Sequence, residues 1–487
     1  MSSNSKYIFN IYRKNDLTCE TSSLTIKECN FRLDVNYYLG SSSEYFDILK
    51  GLRSNAKPLS SVIDKIIEPN LFTRIYTSKS YGIPYISSSE MIESKPNLEK
   101  RFISRELTKG LDDYIIKKGQ ILISAAGTIG SIILAPKYLD GVAGTSDILR
   151  VEISEKNFPG YIYVFLQSSI GQSLLKGLSY GSIIDRIRHF HVSNILIPFI
   201  GVSFQERIDN LAQKARECRE YAYDLLMEAD DLIYDINDLN RLDEKSAIHL
   251  VLEENIEASI ILSKDIFNLN GAGSEFRLDA SYYSPFAMLV QENLKSCETI
   301  LKRISEVTKK VFFCNRFKRK YVNKEFGIPY IAGKNINQIY IPDMHFISKV
   351  ETQRMDEYLL KKGWILLTCS GTIGRICFIW NNFEGYFGTH DLIRIIPEES
   401  QIDPGYLYAF LACRYGQEQI FKFSHGSVID HITPEQVQTI KIAIPNKKQQ
   451  KLVGDKVRSA YEKRAEAIRL EGEAQEILMK ELGLNTI

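Results

Sequence analysis

The sequence predicts an α+β protein, a tandem duplication of a mixed α/β domain in which each copy is followed by a long helix. Three observations support this. The chain has 487 residues, more than one hydrophobic core ordinarily organises. Its short motifs occur twice, in the same order and at a nearly constant separation. Each copy also ends in a long proline-free stretch whose apolar residues recur at spacings of three and four.

The repeat is read directly from the residues. Phe31-Arg32-Leu33-Asp34 with Tyr37-Tyr38 returns as Phe276-Arg277-Leu278-Asp279 with Tyr282-Tyr283, an offset of 276 − 31 = 245. Gly82-Ile83-Pro84-Tyr85-Ile86 returns as Gly327-Ile328-Pro329-Tyr330-Ile331. Lys117-Lys118-Gly119 and Gly127-Thr128-Ile129-Gly130 match Lys361-Lys362-Gly363 and Gly371-Thr372-Ile373-Gly374. GTSDILR, with Asp147 and Arg150, matches GTHDLIR, with Asp391 and Arg394. Pro159-Gly160-Tyr161 pairs with Pro404-Gly405-Tyr406, and Gly181-Ser182-Ile183-Ile184-Asp185 with Gly426-Ser427-Val428-Ile429-Asp430. A period of this length is that of a domain, not of a solenoid repeat.

Within each copy the order of elements is the same. Gln120–Ser124 and Ser131–Leu134 are short apolar runs around a glycine-bearing turn, the pattern of a hairpin. Tyr161–Leu166, introduced by Pro159-Gly160, suits a helix. Ile195–Pro198 and Ile442–Pro445 read as closing strands. In the first long stretch Ile208, Leu211, Ala212, Ala215, Cys218, Ala222, Leu225, Leu226, Ala229, Leu232 and Ile233 form one apolar stripe. In the second, Leu452, Val453, Val457, Ala460, Ala467, Leu470, Ala474, Ile477 and Leu478 do the same, although Gly454 and Gly472 weaken the helical signal. Alanines set among larger apolar residues suit two helices packed closely on each other. The expected divisions are therefore 1–200, first domain; 201–235, first helix; 236–265, linker; 266–445, second domain; 446–487, second helix.

Composition narrows the class. A hydrophobic share of 44% and a charged share of 25% are those of an ordinary folded chain. The first residues carry no apolar run of signal-peptide length, and no stretch of about eighteen apolar residues occurs, so a cytoplasmic protein without membrane contact is expected. The eight cysteines are scattered without a CxxC pair or nearby histidines, which suits reduced structural residues and no metal. A net charge of +1 is a poor match for a chain that holds DNA unaided.

Taken in order, FRLDxxYY, GIPYI, KKG, GTIG, GSxID, a proline-ended strand and a glutamine-bearing long helix (Gln205; Gln449-Gln450) resemble the specificity subunits of type I restriction-modification systems. The likeness covers about residues 25 to 480. It implies two target-recognition domains separated by two antiparallel helices. It also implies double-stranded DNA as ligand, two DNA methyltransferase subunits as partners, and restriction subunits joining that core in phage defence. By the same likeness this chain binds no cofactor, and S-adenosylmethionine belongs to the partner methyltransferase. The family often has consecutive prolines at the strand end, where this chain has Ile197-Pro198-Phe199 and Ile444-Pro445-Asn446.

Candidate DNA contacts follow from residue chemistry. Lys309 to Lys334 carries Lys309, Lys310, Arg316, Lys318, Arg319, Lys320, Lys324 and Lys334 against Glu325 alone, with Phe312, Phe313, Phe317 and Tyr321 between them. Basic residues interleaved with aromatics suit a loop pressed onto DNA; a solvated charged surface is the competing reading. The first copy offers Arg74 and Lys79 there. Thr128 and Thr372, with their turn N–H groups, could meet a phosphate, or the turns could serve only to reverse a hairpin. Ser182, Arg186, Arg188, Ser427 and His431 surround Asp185 and Asp430, which suit either DNA contact or a cap. Base reading is expected where the copies differ most, Ser87 to Lys100 against Ala332 to His345, including Lys334, Asn335 and Gln338. The Arg–Asp pairs at 32–34 and 277–279 read as structural, and the tyrosines after them as packing residues.

Two other classes compete. A DNA-modifying enzyme would need a cofactor loop or an activated nucleophile, and no such motif stands in the sequence. An assembly scaffold without sequence reading would not require the middle of the two copies to diverge. If the copies are separate folding units, replacing Phe276 to Pro445 with the matching domain of a related subunit changes one half of the recognised sequence. Mapping methylated sites for the chimaera checks this, and a change in both halves would contradict it.

Overall fold

The computed structural model describes residues 8–12, 18–22, 45, 49, 55–179, 185–242, 280–341, 344–350, 355–426 and 428–483. The chain divides into two compact units, Met1–Glu220 with Ala467–Ile487, and Tyr221–Glu466. Each unit thus holds one segment of each long helix. The two FRLD motifs lie outside the described residues, as does the linker from residue 243 onward.

In the first unit a core sheet runs in the order Lys65–Ile67, Ile148–Glu152, Ile121–Ser124, Ile132–Leu134. Its middle strands are buried at every or nearly every position, which is why they read as continuous apolar runs and not as alternating ones. The expected hairpin is present, with Ile121 opposite Leu134 and Ile123 opposite Ile132. Its turn needs glycine, since Gly127 and Gly130 both have positive φ. The second sheet, called here the outer sheet, runs Ala143–Gly144, Gly82–Ile86, Phe102–Ser104, Tyr76–Thr77. Leu196–Pro198 closes the domain by pairing with Ala56–Pro58.

The second unit repeats this plan. Its core sheet is Thr308–Phe312, Leu392–Pro397, Ile365–Thr368, Ile376–Phe378, and its outer sheet Tyr321–Val322, His345–Ser348, Gly327–Ile331, Phe387–Gly388. Lys441–Ile444 pairs with Ile300–Arg303. In both units a fully buried arginine of the core sheet reaches the edge strand of the outer sheet. Arg150 donates to the carbonyls of Tyr114 (2.8 Å), Gly144 (3.2 Å) and Ile148 (3.3 Å). Arg394 donates to Leu392 (2.7 Å), Gly388 (2.9 Å) and Thr389 (3.2 Å). Burial pushes the Arg150 guanidinium down to about 10, still charged at neutral pH.

The predicted helix after the proline-glycine pair spans Pro159–Gln167 in the first unit and Pro404–Ala412 in the second. The hydroxyl of Tyr161 donates to the carbonyl of Pro198, and that of Tyr406 to Ala443, tying each helix to its closing strand. Their N-terminal N–H groups are capped by different carboxylates. In the first unit Asp209, on the long helix, accepts from Gly160 at 2.6 Å. In the second, Asp403 caps its own helix, accepting from Gly405 (2.8 Å) and Tyr406 (3.1 Å), and is held by Arg458 at 3.0 Å. The position matching Asp209 is Gly454.

The long helices span Val202–Asn237 and Lys447–Glu481. Within the first unit Arg219 forms a buried ion pair with Glu471, which also accepts from Tyr163 at 2.8 Å, and Ala215 packs on Ala467 and Leu470. Within the second, Glu228 pairs with Lys456 at 2.5 Å.

Two expectations are corrected. Gly454 does not interrupt the second helix; it admits the start of the Pro404–Ala412 helix, and a Cβ there would stand 2.0 Å from Asp403 Oδ1. The stretch after residue 235 does not begin as a free linker. The helix continues to Asn237, Leu239 and Leu242 are buried, and Arg414 and Tyr415 bind the carbonyls of Leu242 and Asn240, each at 2.8 Å.

The two helix glycines therefore have opposite expected behaviour. Gly454→Ala displaces the Asp403 cap and destabilises by about 1–3 kcal/mol. Gly472→Ala meets nothing within 4 Å and stabilises by about 0.5–1 kcal/mol. Urea unfolding of the two variants gives the signs; equal effects would refute the packing role of Gly454.

Candidate nucleic-acid interface

The outer sheets carry a matched set of cationic and aromatic side chains. In the first unit exposed Arg74 lies over the Tyr85 ring, 5.9 Å from its centroid, Arg101 approaches the same ring at 5.6 Å, and Tyr76 meets it edge-on at 6.3 Å. In the second, Arg319 lies 5.7 Å from the Tyr330 centroid and Tyr321 meets that ring at 6.1 Å. His345 stands at the place of Arg101 and packs on Tyr321 at 4.8 Å. Guanidinium groups over aromatic faces are held in place yet keep N–H groups for a further partner.

The basic stretch of the second copy is not one loop. Lys309 and Lys310 lie on the core-sheet strand Thr308–Phe312, and Lys309 stands 3.8 Å from Glu398, an acid remote in sequence. Arg316, Lys318, Arg319 and Lys320 are exposed on the connection that follows. Phe317, set among them, turns inward onto Tyr358 (4.8 Å) and Phe387 (4.9 Å). Its role is to hold the loop, not to meet a base. In the first unit exposed Lys79 forms an ion pair with Glu99.

Two motifs far apart in sequence meet in each unit. Ile187 N–H donates to Ala125 O at 2.9 Å, and Ala126 bridges Arg186 beside the first GTIG turn. Ile432 N–H donates to Cys369 O at 3.1 Å, and Ser370 bridges His431 beside the second. Exposed Thr128 and Arg186 thus share one edge of the first unit, and exposed Thr372 and His431 the same edge of the second. Ser182 and Ser427 lie outside the described residues. Arg188 is engaged by Glu68 at 2.5 Å. The neighbouring short helices are capped from Arg188 and Thr433, so Asp185 and Asp430 are not their caps.

Lys334 is exposed, but Asn335 is a correction. It is 7% exposed, its Oδ1 accepts from Ala332 N–H and its Nδ2 donates to Gln338, both at 3.0 Å. Its amide is buried and bonds through both its oxygen and its nitrogen within the turn after Gly327–Ile331, which takes it out of reach of a base. The same turn in the first unit is made by Glu90, which accepts from Ser87 N–H at 2.8 Å and pairs with Arg101. Different side chains here do one structural job.

His390 was not singled out by the sequence reading. It sits between the Arg316–Lys320 connection and the core sheet, 6.3 Å from the Phe317 ring and 3.2 Å from Asp391. Burial holds its imidazole below the usual range; Asp391 opposes this, and Arg319 and Arg316 add to it. Near neutral pH the ring is uncharged, and its buried Nδ1 has no hydrogen-bond partner among the described residues. The signal for it was the single mismatch inside a matched motif, Ser146 in GTSD against His390 in GTHD. Among the described residues no group of His, Cys, Asp or Glu is arranged to hold a metal, and no helix is long and apolar enough to cross a membrane.

Comparison with known proteins adds one decisive match. The family model described as type I restriction modification DNA specificity domain matches residues 57–208 and again 300–468, more than half of the chain. No curated protein matches. Among solved structures, the S subunit of the type I restriction-modification system from M. genitalium is 16% identical, with 89% of this chain and 96% of that chain covered and a TM-score of 0.29. The HsdS subunit from Thermoanaerobacter tengcongensis is 14% identical, with 88% and 96% covered and a TM-score of 0.28.

If the exposed Arg316–Lys320 connection meets phosphates, Lys318→Ala with Arg319→Ala weakens DNA binding alike on many sequences. The logarithmic salt dependence flattens by about one unit for each lost contact. An altered sequence preference at an unchanged salt slope would show instead that these residues read bases.

Proposed function

Since the chain belongs to the type I restriction modification DNA specificity family, we propose that its two units read the two halves of a bipartite DNA target and bring partner subunits to it. That it is a DNA target-recognition subunit follows from family membership; the bipartite reading, the number of partners and the contact residues are our proposal. The observation that carries it is the repetition of one two-sheet domain with a cationic, aromatic outer sheet whose shared residues are flanked by divergent ones. Arg101 against His345 and Ser146 against His390 are such divergent positions. Identical halves would read identical sequences; these halves do not match.

The partners are two DNA methyltransferase subunits, one for each half-target, with restriction subunits joining them in the cytoplasm. The chain itself is non-catalytic. S-adenosylmethionine is bound by the methyltransferase, and this chain supplies position. Lys79, Thr128, Thr372, Arg186, Lys318 and Lys320 serve as phosphate contacts, and Arg74 and Arg319 hold the DNA over the tyrosine faces. Lys334 stands where base contact is expected.

Mapping of methylated adenines in DNA from cells carrying the chain and its methyltransferase should give a two-part motif that disappears with the chain. The purified chain alone, incubated with labelled S-adenosylmethionine and DNA, should transfer no methyl group. Transfer by the isolated chain, or methylation independent of it, would overturn the proposal.

A further inference from the structure

The turn that leads into the central strand of each outer sheet presents an aromatic ring to solvent. Tyr81 ends the single-turn helix Lys79–Tyr81 and is 73% exposed; Phe326 ends Lys324–Phe326 and is 69% exposed. Neither ring is needed by a core. The glycine that follows explains how the turn is held: a Cβ at Gly82 would stand 2.5 Å from Phe102 Cβ, and one at Gly327 2.5 Å from Phe346 Cβ. The close approach lets the turn press against the neighbouring strand, and the ring is left exposed.

A basic residue just past the end of that neighbouring strand is tied into each turn through its backbone amide, and in the first unit through its guanidinium as well. Arg105 N–H donates to the carbonyl of Tyr81 at 3.2 Å, and its Nε donates to the carbonyl of Gly82 at 3.2 Å. In the second unit Lys349 N–H donates to the carbonyl of Phe326 at 3.4 Å. A lysine also stands two residues before each ring, Lys79, which pairs with Glu99, and Lys324. Arg105 and Lys349 are exposed. The two units therefore repeat one arrangement, an exposed ring with a lysine two residues before it and an exposed basic residue hydrogen-bonded to its backbone carbonyl, in a region where much else has diverged. Charge complementarity points to an anionic partner, and the exposed ring to one with an apolar face between its charges.

We infer that Tyr81 with Lys79 and Arg105, and Phe326 with Lys324 and Lys349, are matched grips for the sugar-phosphate backbone of duplex DNA, with the cations on phosphates and the ring against the sugars. This rests on the proposed target-recognition role and adds to it a contact that is the same in both halves and independent of sequence. Phosphate contacts set position and carry no sequence information. A duplicated protein that must dock two differing readers in one register needs such a shared reference.

The test uses the full chain assembled with its methyltransferase partner, and measures binding to a duplex bearing the mapped target and to a scrambled duplex of equal length. Tyr81→Ala and Phe326→Ala should each weaken both by the same factor, on the order of five to ten. Tyr81→Phe should bind as the parent does, because the ring and not the hydroxyl makes the contact. Arg105→Gln with Lys349→Gln should flatten the logarithmic salt dependence by about two units. Since both rings are exposed, the unfolding midpoints of Tyr81→Ala and Phe326→Ala should stay at the parental value. Unchanged affinity on both duplexes would overturn the inference, as would a loss confined to the target duplex, which would make the rings sequence readers. A loss of methyltransferase assembly would make them a protein contact and also overturn it. Equal binding of the parent complex to both duplexes would instead defeat the sequence-reading proposal while leaving the grips to be judged by the variants.

Discussion

Each unit depends on one buried guanidinium. Arg150 and Arg394 leave the middle of the core sheet and end among backbone carbonyls of the outer sheet's edge strand and its flanks. Removing a charge from water is expensive unless it is well solvated by the protein, and here convergent carbonyl dipoles provide that solvation. The geometry also explains Gly144 and Gly388, where a Cβ would come within 3.0 and 3.1 Å of the guanidinium nitrogen. The outer sheet, which carries Arg74, Tyr76, Arg319 and Tyr321, is thereby positioned by the core sheet through a planar, many-donor group. Lysine in this place would offer three donors from one atom and could not span the same acceptors.

The two copies show how a duplicated scaffold keeps a backbone requirement while changing the side chain that meets it. The short buried helix needs an acceptor at its N-terminus. Asp209 supplies it from the long helix in one unit, and Asp403 from the cap position itself in the other. The shift is accompanied by Gly454, which vacates the space that a side chain matching Asp209 would fill. Glu90 and Asn335 show the same for a turn. Divergence between copies is therefore not in itself a mark of base recognition; burial and hydrogen bonding decide which divergent residues are available to DNA. By that criterion Asn335 is removed from the candidate readers, while His345, exposed and packed at a tilt on Tyr321, enters them.

The long helices have a different chemistry in each unit. The first unit buries an ion pair, Arg219 with Glu471, and burial and the carboxylate act in opposite directions on the guanidinium, the carboxylate and its hydrogen bonds prevailing. Hydrogen bonding from Tyr163 satisfies the same acid. Pairs of this kind contribute little net stability but disfavour other registers, because a slipped helix would leave a buried charge alone. In the second unit the core contact is apolar and aromatic, with Leu225, Leu226, Ala229 and Ile233 in one cluster with Tyr461 and Tyr406. Register is thus specified by charge in one unit and by shape in the other.

The sequence by itself determined the duplication, the hairpin around each GTIG turn, the Pro-Gly helix, the closing strands and the two long helices. These depend on local periodicity, on glycine at positive φ and on motif order, all of which are written along the chain. It also determined the family, since the order of weak motifs is informative where each alone is not. The tertiary structure alone decided which side chains face one another. Arg186 and the GTIG turn are about 60 residues apart and meet only because a strand bridge brings them together. Phe317 looks like a base-stacking residue within a basic run until its ring is seen to fill the space beside Tyr358 and Phe387. Asn335 looks like an adenine reader until its amide is seen to be used by its own turn. Sequence spacing reports on neighbours along one element; burial and hydrogen-bond partners come from elements distant in the chain, and those partners decide whether a polar side chain has any capacity left for DNA.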